Sequence, residues 1–165
     1  MEKKQPNFDR LEKGEVMYFI SSLSFGVVAT RDEYFPTDDD RYFDGNYFPD
    51  AKLAHACSEE IIEIYVPRLT ELKKQQRDNH DKYFTATKKL ADSMKKKMKY
   101  FVQNKDKEDA KPAYRWKTGD KPDFESFAVD LVDVYTSYKD VHDALIKAIA
   151  DVNKEIKEFI RVYPK

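Results

Sequence analysis

The chain has 165 residues, of which 37% are charged and 41% hydrophobic, and its formal net charge is −1. Aromatic residues reach 14% and only four glycines occur, which excludes a disordered or collagen-like chain and favours one ordered, helix-rich domain. The charge is uneven, because residues 32–67 carry a net −8 and residues 68–121 a net +9. The two blocks either attract each other within the fold or each meet an outside partner of opposite sign.

Residues 1–30 are predicted to be an N-terminal core segment. Residues 16–29 form an apolar run that is shorter than the roughly 20 residues of a transmembrane helix. Mixed charges precede this run, so we interpret it as a buried element of a cytoplasmic protein, with an exported form as the alternative. The pattern does not decide its secondary structure, since Val27 and Val28 after Gly26 are typical of a strand. The helical character of the rest of the chain favours a helix.

Residues 31–50 are predicted to be a turn-rich aromatic and acidic insert. The Asp44-Gly45 pair lies between two similar aromatic triplets, which predicts a type I′ hairpin of residues 41–43 against 46–48. Aromatic side chains are enriched at the centres of protein interfaces, although core packing is the ordinary use of such a cluster. The candidate partner-binding residues are Tyr34, Phe35, Tyr42, Phe43, Tyr47 and Phe48.

The acidic residues of this insert resemble a calcium loop only in part. With Gly45 at the sixth position, an EF-hand would need oxygen ligands at positions 42 and 51, where Tyr42 and Ala51 stand. We therefore predict no metal and no cofactor, and a solvated acidic turn in place of a cation site.

Residues 51–103 have helical spacing and are predicted to form one long helix, kinked near Pro67 because proline removes a backbone donor. Asp50 is a suitable N-cap, and Cys57, the single cysteine, is expected to be a buried small hydrophobe. Residues 104–121 are predicted to be a loop in which Tyr114 and Trp116 cover the end of the core.

A run of lysines lies in the second half of this long helix. Such a basic helix face can bind the phosphates of nucleic acid or an anionic membrane, although a solvated surface is the ordinary explanation. The candidate anion-binding residues are Lys88, Lys89, Lys95, Lys96, Lys97 and Lys99.

Residues 122–163 contain the strongest pattern, an apolar seam with alternating spacings of four and three. We predict a helix over residues 124–163, starting after an Asp120 N-cap, whose stripe is wider than a two-stranded coil requires. Folding at the loop's midpoint would place Phe101 near Phe127 and His142 opposite residue 86, away from His80. The seam consists of Phe124, Ala128, Leu131, Tyr135, Tyr138, His142, Leu145, Ile149, Val152, Ile156, Phe159 and Tyr163.

These elements predict a mainly α fold, an antiparallel bundle of three to four helices built on a long two-helix hairpin. No nucleophile motif, phosphate loop or metal-protease motif occurs, so no catalytic residue and no small-molecule substrate is indicated. The predicted function is a non-enzymatic interaction or structural protein that binds another protein or itself. A binder of nucleic acid or anionic membrane through residues 88–99 is the alternative, and an enzyme with an unrecognised site is the third hypothesis.

Overall fold

The structure is a computed structural model that describes residues 8–110 and 123–165. In chain order its elements are β1 (Val16–Ile20), β2 (Val27–Arg31), α1 (Pro36–Asp44), α2 (Ala51–Ile64), α3 (Val66–Ala110) and α4 (Phe124–Val162). The protein is therefore mainly helical, as predicted. The predicted loop residues Tyr114 and Trp116 and the predicted Asp120 cap lie outside the described residues, and Asp123 accepts a hydrogen bond from the N–H of Ser126 at the start of α4.

The N-terminal apolar run is an antiparallel hairpin, so the prediction of a helix was wrong. Val16 pairs with Arg31 and Ile20 with Val27, and Tyr18 forms an additional bridge to Phe48. Met17 and Ile20 are buried on this ribbon. Two short apolar segments separated by a serine-rich turn can pair locally, and the bridge to Phe48 covers a ribbon that would be marginal alone.

The predicted hairpin of residues 41–48 was also wrong, because residues 36–44 form α1. Pro36 is in the first turn, and Asp38 accepts hydrogen bonds from the N–H groups of Glu33 and Phe35. Gly45 has a φ of 77° and ends the helix, so the Asp-Gly pair serves a helix C-terminus and not a β-turn. A β-carbon on Gly45 would lie 2.8 Å from the Cα of Arg161.

The interruption near Pro67 takes the form of a break between α2 and α3 at Tyr65. Asp50 caps α2 as predicted, accepting bonds from the N–H groups of Lys52 and Leu53. Helix α3 continues to Ala110, seven residues beyond the predicted end at position 103, so residues 104–110 are helical and the prediction of a loop there was wrong.

The chain divides into two compact units. Unit 1 consists of Met1–Lys73 and Lys147–Lys165, and unit 2 of Lys74–Ile146. Unit 1 has a continuous apolar core in which Ile20, Phe48, Cys57 and Ile61 meet Ile156. Cys57 is buried, as predicted, and α2 packs against the hairpin of β1 and β2 in this core. Within the described residues, no helix has a stretch long and apolar enough to cross a bilayer.

Candidate interaction surface

The aromatic residues of the insert divide between the core and the surface of unit 1. Tyr42, Tyr47 and Phe48 are buried, and Phe43 is half-buried with its ring edge-on to Tyr42 at 5.4 Å. These side chains pack the core and do not form one exposed patch. The exposed remainder is Tyr34 and Phe35, which are 47% and 61% exposed.

A buried ionic network holds this aromatic cluster in place. Arg10 donates two hydrogen bonds of 2.7 Å to the carboxylate of Asp32, and the hydroxyl of Tyr47 donates a third at 2.9 Å. Burial raises the pKa of Asp32, but these bonds and the N–H of Tyr34 outweigh it and leave that pKa below its ordinary value. The sequence signals neither Arg10 nor Asp32, since they are 22 positions apart in irregular segments.

Unit 1 also contains a cleft of about 1210 Å³ between the C-terminal end of α4 and the turn that follows β1. Lys165 lies in it and donates to the carbonyls of Gly45 and Ile160, with its ammonium 4.7 Å from the centre of the Phe48 ring. Burial lowers the pKa of Lys165 to about 8 and raises that of the Cys57 thiol to about 12. Lys165 therefore lines the cleft as a partly buried cation that is held by the chain's own carbonyls.

Unit 2 has a different construction, an antiparallel pair formed by α3 and α4. Tyr83 stacks on Tyr138 at 4.6 Å and meets Tyr135 edge-on at 6.5 Å, while the side-chain amide of Asn79 donates to the carbonyl of Tyr138. Leu145, at 8% exposure, is the one buried apolar side chain among the described residues of this unit. The described residues of this helix pair thus meet along a seam of half-buried side chains, among them Leu90, Met94, Leu131 and Val134, and do not form a fully buried core.

The predicted register of this pair was wrong. Folding at the loop's midpoint placed His142 opposite residue 86, yet His80 and His142 line the same hollow, beside Tyr138. Stacking of large rings sets the register of two helices more strongly than the midpoint of the connection does. The hydroxyl of Tyr138 lies 3.3 Å from Nδ1 of His142.

The hollow offers hydrogen-bonding groups but only two imidazoles. It has a volume of about 320 Å³ and is also lined by Gln76, Arg77 and Asp81. Residues 8–110 and 123–165 bring no three His, Cys, Asp or Glu side chains together in a way that could hold a metal ion. The acidic residues of the insert are engaged elsewhere, since Asp38 and Asp39 pair with Arg41 and Arg10.

The hollow shows which sides of the two helices face the same way. Arg77 and Asp81 flank it from α3, and His142 flanks it from α4. Steps of three and four residues continue these positions into one exposed stripe on each helix, which together we call the open face. Its members are exposed residues, Arg77, Asp81, Phe84, Lys88, Ala91 and Lys95 on α3 and Glu125, Ala128, Val132, Tyr135, Lys139, Asp143 and Ile146 on α4.

Large apolar side chains are concentrated at the centre of the open face. Phe84 is 62% exposed and Val132 is 61% exposed, and Tyr135 and Ile146 are about half exposed. The predicted seam is thus buried only in part, because Val152 and Ile156 enter the core of unit 1 while Phe124 and Tyr135 remain exposed. The stretch from His142 to Ile149 is better covered than the start of α4, since Leu145 is buried there.

The predicted anion-binding lysines lie on α3. Lys88, Lys89, Lys95, Lys96 and Lys99 are exposed and Lys97 is half-buried. Lys88 and Lys95 belong to the open face and Lys99 continues its stripe one step beyond Lys95, whereas the helical turn directs Lys89 and Lys96 to another side. The alternating spacing from Arg77 to Lys95 is readable in the sequence but mixes charged and apolar residues, so a search for apolar periodicity misses it.

Comparison with protein-family models, curated protein sequences and solved structures finds no match to this chain.

Proposed function

We propose that this protein is a non-enzymatic interaction protein whose binding surface is the open face of unit 2, completing a helical bundle when a partner is bound. The observation that carries the proposal is a contrast among the residues of unit 2 that the structure describes, where one apolar side chain, Leu145, is buried while the large ones of Phe84 and Val132 are exposed. Two helices cannot enclose a core by themselves, and stable helical architectures cover such a face with further helices. Contiguous exposed apolar side chains rimmed by polar residues are typical of interaction sites.

The position of the exposed apolar residues favours one face over the other. Val141 is exposed on the side of α4 that lies half a helical turn away from Val132, because nine residues correspond to two and a half turns. Phe84, Tyr135 and Ile146 accompany Val132, which makes the open face the larger apolar surface. Tyr34 and Phe35 in unit 1 are a smaller second surface of the same kind.

The test is parallel affinity capture from the native source with three baits. The Phe84→Ser/Val132→Ser double variant should lose the proteins that the wild-type chain retains, while Val141→Ser should retain them, since it carries a matched change on the opposite face. Recovery of the same proteins with all three baits would place the binding surface elsewhere. Circular dichroism of each bait checks that helix content is unchanged.

An anionic polymer or membrane is the second candidate partner, favoured by the exposure of five lysines on one stretch of α3. Phosphate contacts give affinity that falls steeply with salt. Binding to DNA or anionic vesicles at low salt that disappears in a Lys95→Glu/Lys96→Glu/Lys97→Glu variant would support this candidate. Absence of binding at low salt would exclude it. The predicted cytoplasmic location stays a prediction.

A further inference from the structure

We propose that the partner of the open face is a second copy of this chain, bound face to face about a twofold axis parallel to the helices. In this dimer α3 of each copy lies against α4 of the other, and the four helices form one antiparallel bundle. The inference rests on the proposed function, because it requires the open face to be the binding surface, and it adds the identity and geometry of the partner.

The charges of the two helices favour a second copy. Residues 74–103 of α3 carry nine basic and three acidic side chains, whereas residues 124–146 of α4 carry five acidic and one basic. Two identical helix pairs can stack with the twofold axis parallel to the helices, which places α3 on α4, or perpendicular to them, which places α3 on α3. Only the parallel axis brings helices of opposite charge together, and juxtaposed like charges disfavour the other arrangement.

The same sign rule holds for three of the four charged positions of α3 on the open face, the exception being Lys88, which is level with Val132. The contacts of Asn79 and Tyr83 with Tyr138 establish which residues of α3 and α4 are level, and a twofold axis parallel to the helices leaves those levels unchanged. Three charged positions of α3 then lie within about one helical turn of the level of opposite charges on the partner copy. The expected pairs are Arg77 with Asp143, Asp81 with Lys139, and Lys95 with Glu125, and symmetry produces each pair twice.

The apolar residues occupy the space between these charged pairs. Phe84 is nearly level with Tyr135, and Val132 and Ala128 follow toward Lys95, so the centre of the interface is mostly apolar, with Lys88 as its one charged residue, and its ends are charged. This is the usual anatomy of a protein interface. Two helices side by side over the length of α4 in unit 2 measure about 35 Å by 20 Å. The resulting area of roughly 700 Å² per copy is close to the about 800 Å² of a standard interface.

The first experiment exchanges charges and measures the dimer dissociation constant by sedimentation equilibrium. Lys139→Glu places two acidic groups against each other and should weaken the dimer by about tenfold. Adding Asp81→Lys in the same chain restores opposite signs and should recover most of this affinity. Both variants lose the Lys139–Asp143 ion pair within α4, so recovery reports the contact between copies. A wild-type chain that is monomeric at all concentrations, or a double variant no tighter than Lys139→Glu, would overturn the proposal.

The second experiment distinguishes the two twofold arrangements by disulfide formation. A mixture of Phe84→Cys chains with Tyr135→Cys chains should form a disulfide-linked heterodimer on mild oxidation, while Phe84→Cys alone should not. Efficient cross-linking of Phe84→Cys alone would mean that α3 lies on α3 and would overturn the proposed geometry. The native Cys57 is buried with its pKa raised to about 12, so it supplies little thiolate to compete.

The two proposals can fail separately. If the wild-type chain is monomeric but the Phe84→Ser/Val132→Ser bait still loses captured proteins, the second copy is excluded and the open face remains a binding surface. If the wild-type chain dimerises and the dimer is unaffected by Phe84→Ser/Val132→Ser, neither the proposed dimer nor the open face explains the association.

Discussion

Units 1 and 2 contain the same helices α3 and α4 but use them differently. In unit 1 the last part of α4 is covered by α2 and by the hairpin of β1 and β2, and Val152, Ile156 and Ile160 are buried. In unit 2, within residues 74–110 and 123–146, the first part of α4 is paired with α3, and Tyr135 is about half exposed. One continuous apolar seam on α4 therefore fills a core over one half of its length and is partly exposed at the surface over the other half.

The physical difference is the number of layers. A helix buries its apolar stripe only if neighbours cover both flanks of the stripe, and unit 1 supplies them from irregular and β segments of the chain. The described part of unit 2 supplies one neighbour, α3. Its α3 carries polar residues where a second apolar ridge would be needed, as Gln76 and Asn79 illustrate. Four changes test this comparison, in decreasing order of expected effect.

The largest effect is expected from Asp32→Asn in unit 1. It leaves the guanidinium of Arg10 without its bidentate partner, and loss of one member of a buried ion pair costs about 3 kcal/mol. Urea unfolding followed by circular dichroism measures the change. Asp39→Asn is the matched control, because Asp39 also pairs with Arg10 but is 43% exposed, and it should cost less than about 1 kcal/mol.

The same variant should alter the acid response. The lowered pKa of Asp32 means that the folded state holds its carboxylate ionised at a pH where the unfolded chain has begun to bind a proton. This contribution to stability is present above the ordinary pKa of 3.8 and is lost as the pH falls through the lower folded value. Equal slopes of stability against pH for wild type and Asp32→Asn below pH 4 would contradict the assignment.

Gly45→Ala is expected to cost about 2 to 3 kcal/mol. The φ of 77° is unfavourable for a residue with a β-carbon, and that carbon would lie 2.8 Å from the Cα of Arg161. Gly14→Ala separates the two causes, since Gly14 has a φ of 89° with no atom within 4 Å of the added carbon. Thermal or urea unfolding should show a loss of about 1 kcal/mol for Gly14→Ala, and equal losses for both variants would refute the close approach.

Lys165→Met should remove a pH dependence on the alkaline side. The folded chain releases the Lys165 proton near pH 8, whereas the unfolded chain keeps it to the ordinary value of 10.5. The unfolded state therefore binds more protons between these values, and the free energy of unfolding rises with pH. Relative to Lys165→Met, the wild type should gain about 1 kcal/mol between pH 7.5 and 9. If the free energy of unfolding of the wild type, relative to that of Lys165→Met, stays constant or falls over this pH range, the prediction is wrong.

The smallest effect is expected from Val132→Ser in unit 2. In protein dilute enough to be monomeric, removal of an exposed apolar side chain should change stability by less than about 0.5 kcal/mol. Val152→Ser, the same change at a buried position of the same helix, should cost several-fold more. The comparison between the units fails if the two substitutions cost the same under these conditions.

Local patterns in the sequence correctly predicted the long helices. Asp50 as an N-cap, the break near Pro67 and the four-and-three spacing from Phe124 onward were readable because capping, proline geometry and helical periodicity act over a few neighbouring residues. The burial of Cys57 followed from its apolar neighbours at helical spacing.

Tertiary structure decided what local patterns leave open. The hairpin of residues 16–31 is extended by a bridge from Tyr18 to Phe48, a residue distant in sequence. Gly45 ends α1 at a point where the backbone of Arg161 leaves no room for a β-carbon. The ring contacts of Tyr83 set the register that brings His80 and His142 to one hollow. Periodicity determined which side chains of α4 share a stripe, but burial of that stripe depends on what the rest of the chain, or a partner, places against it.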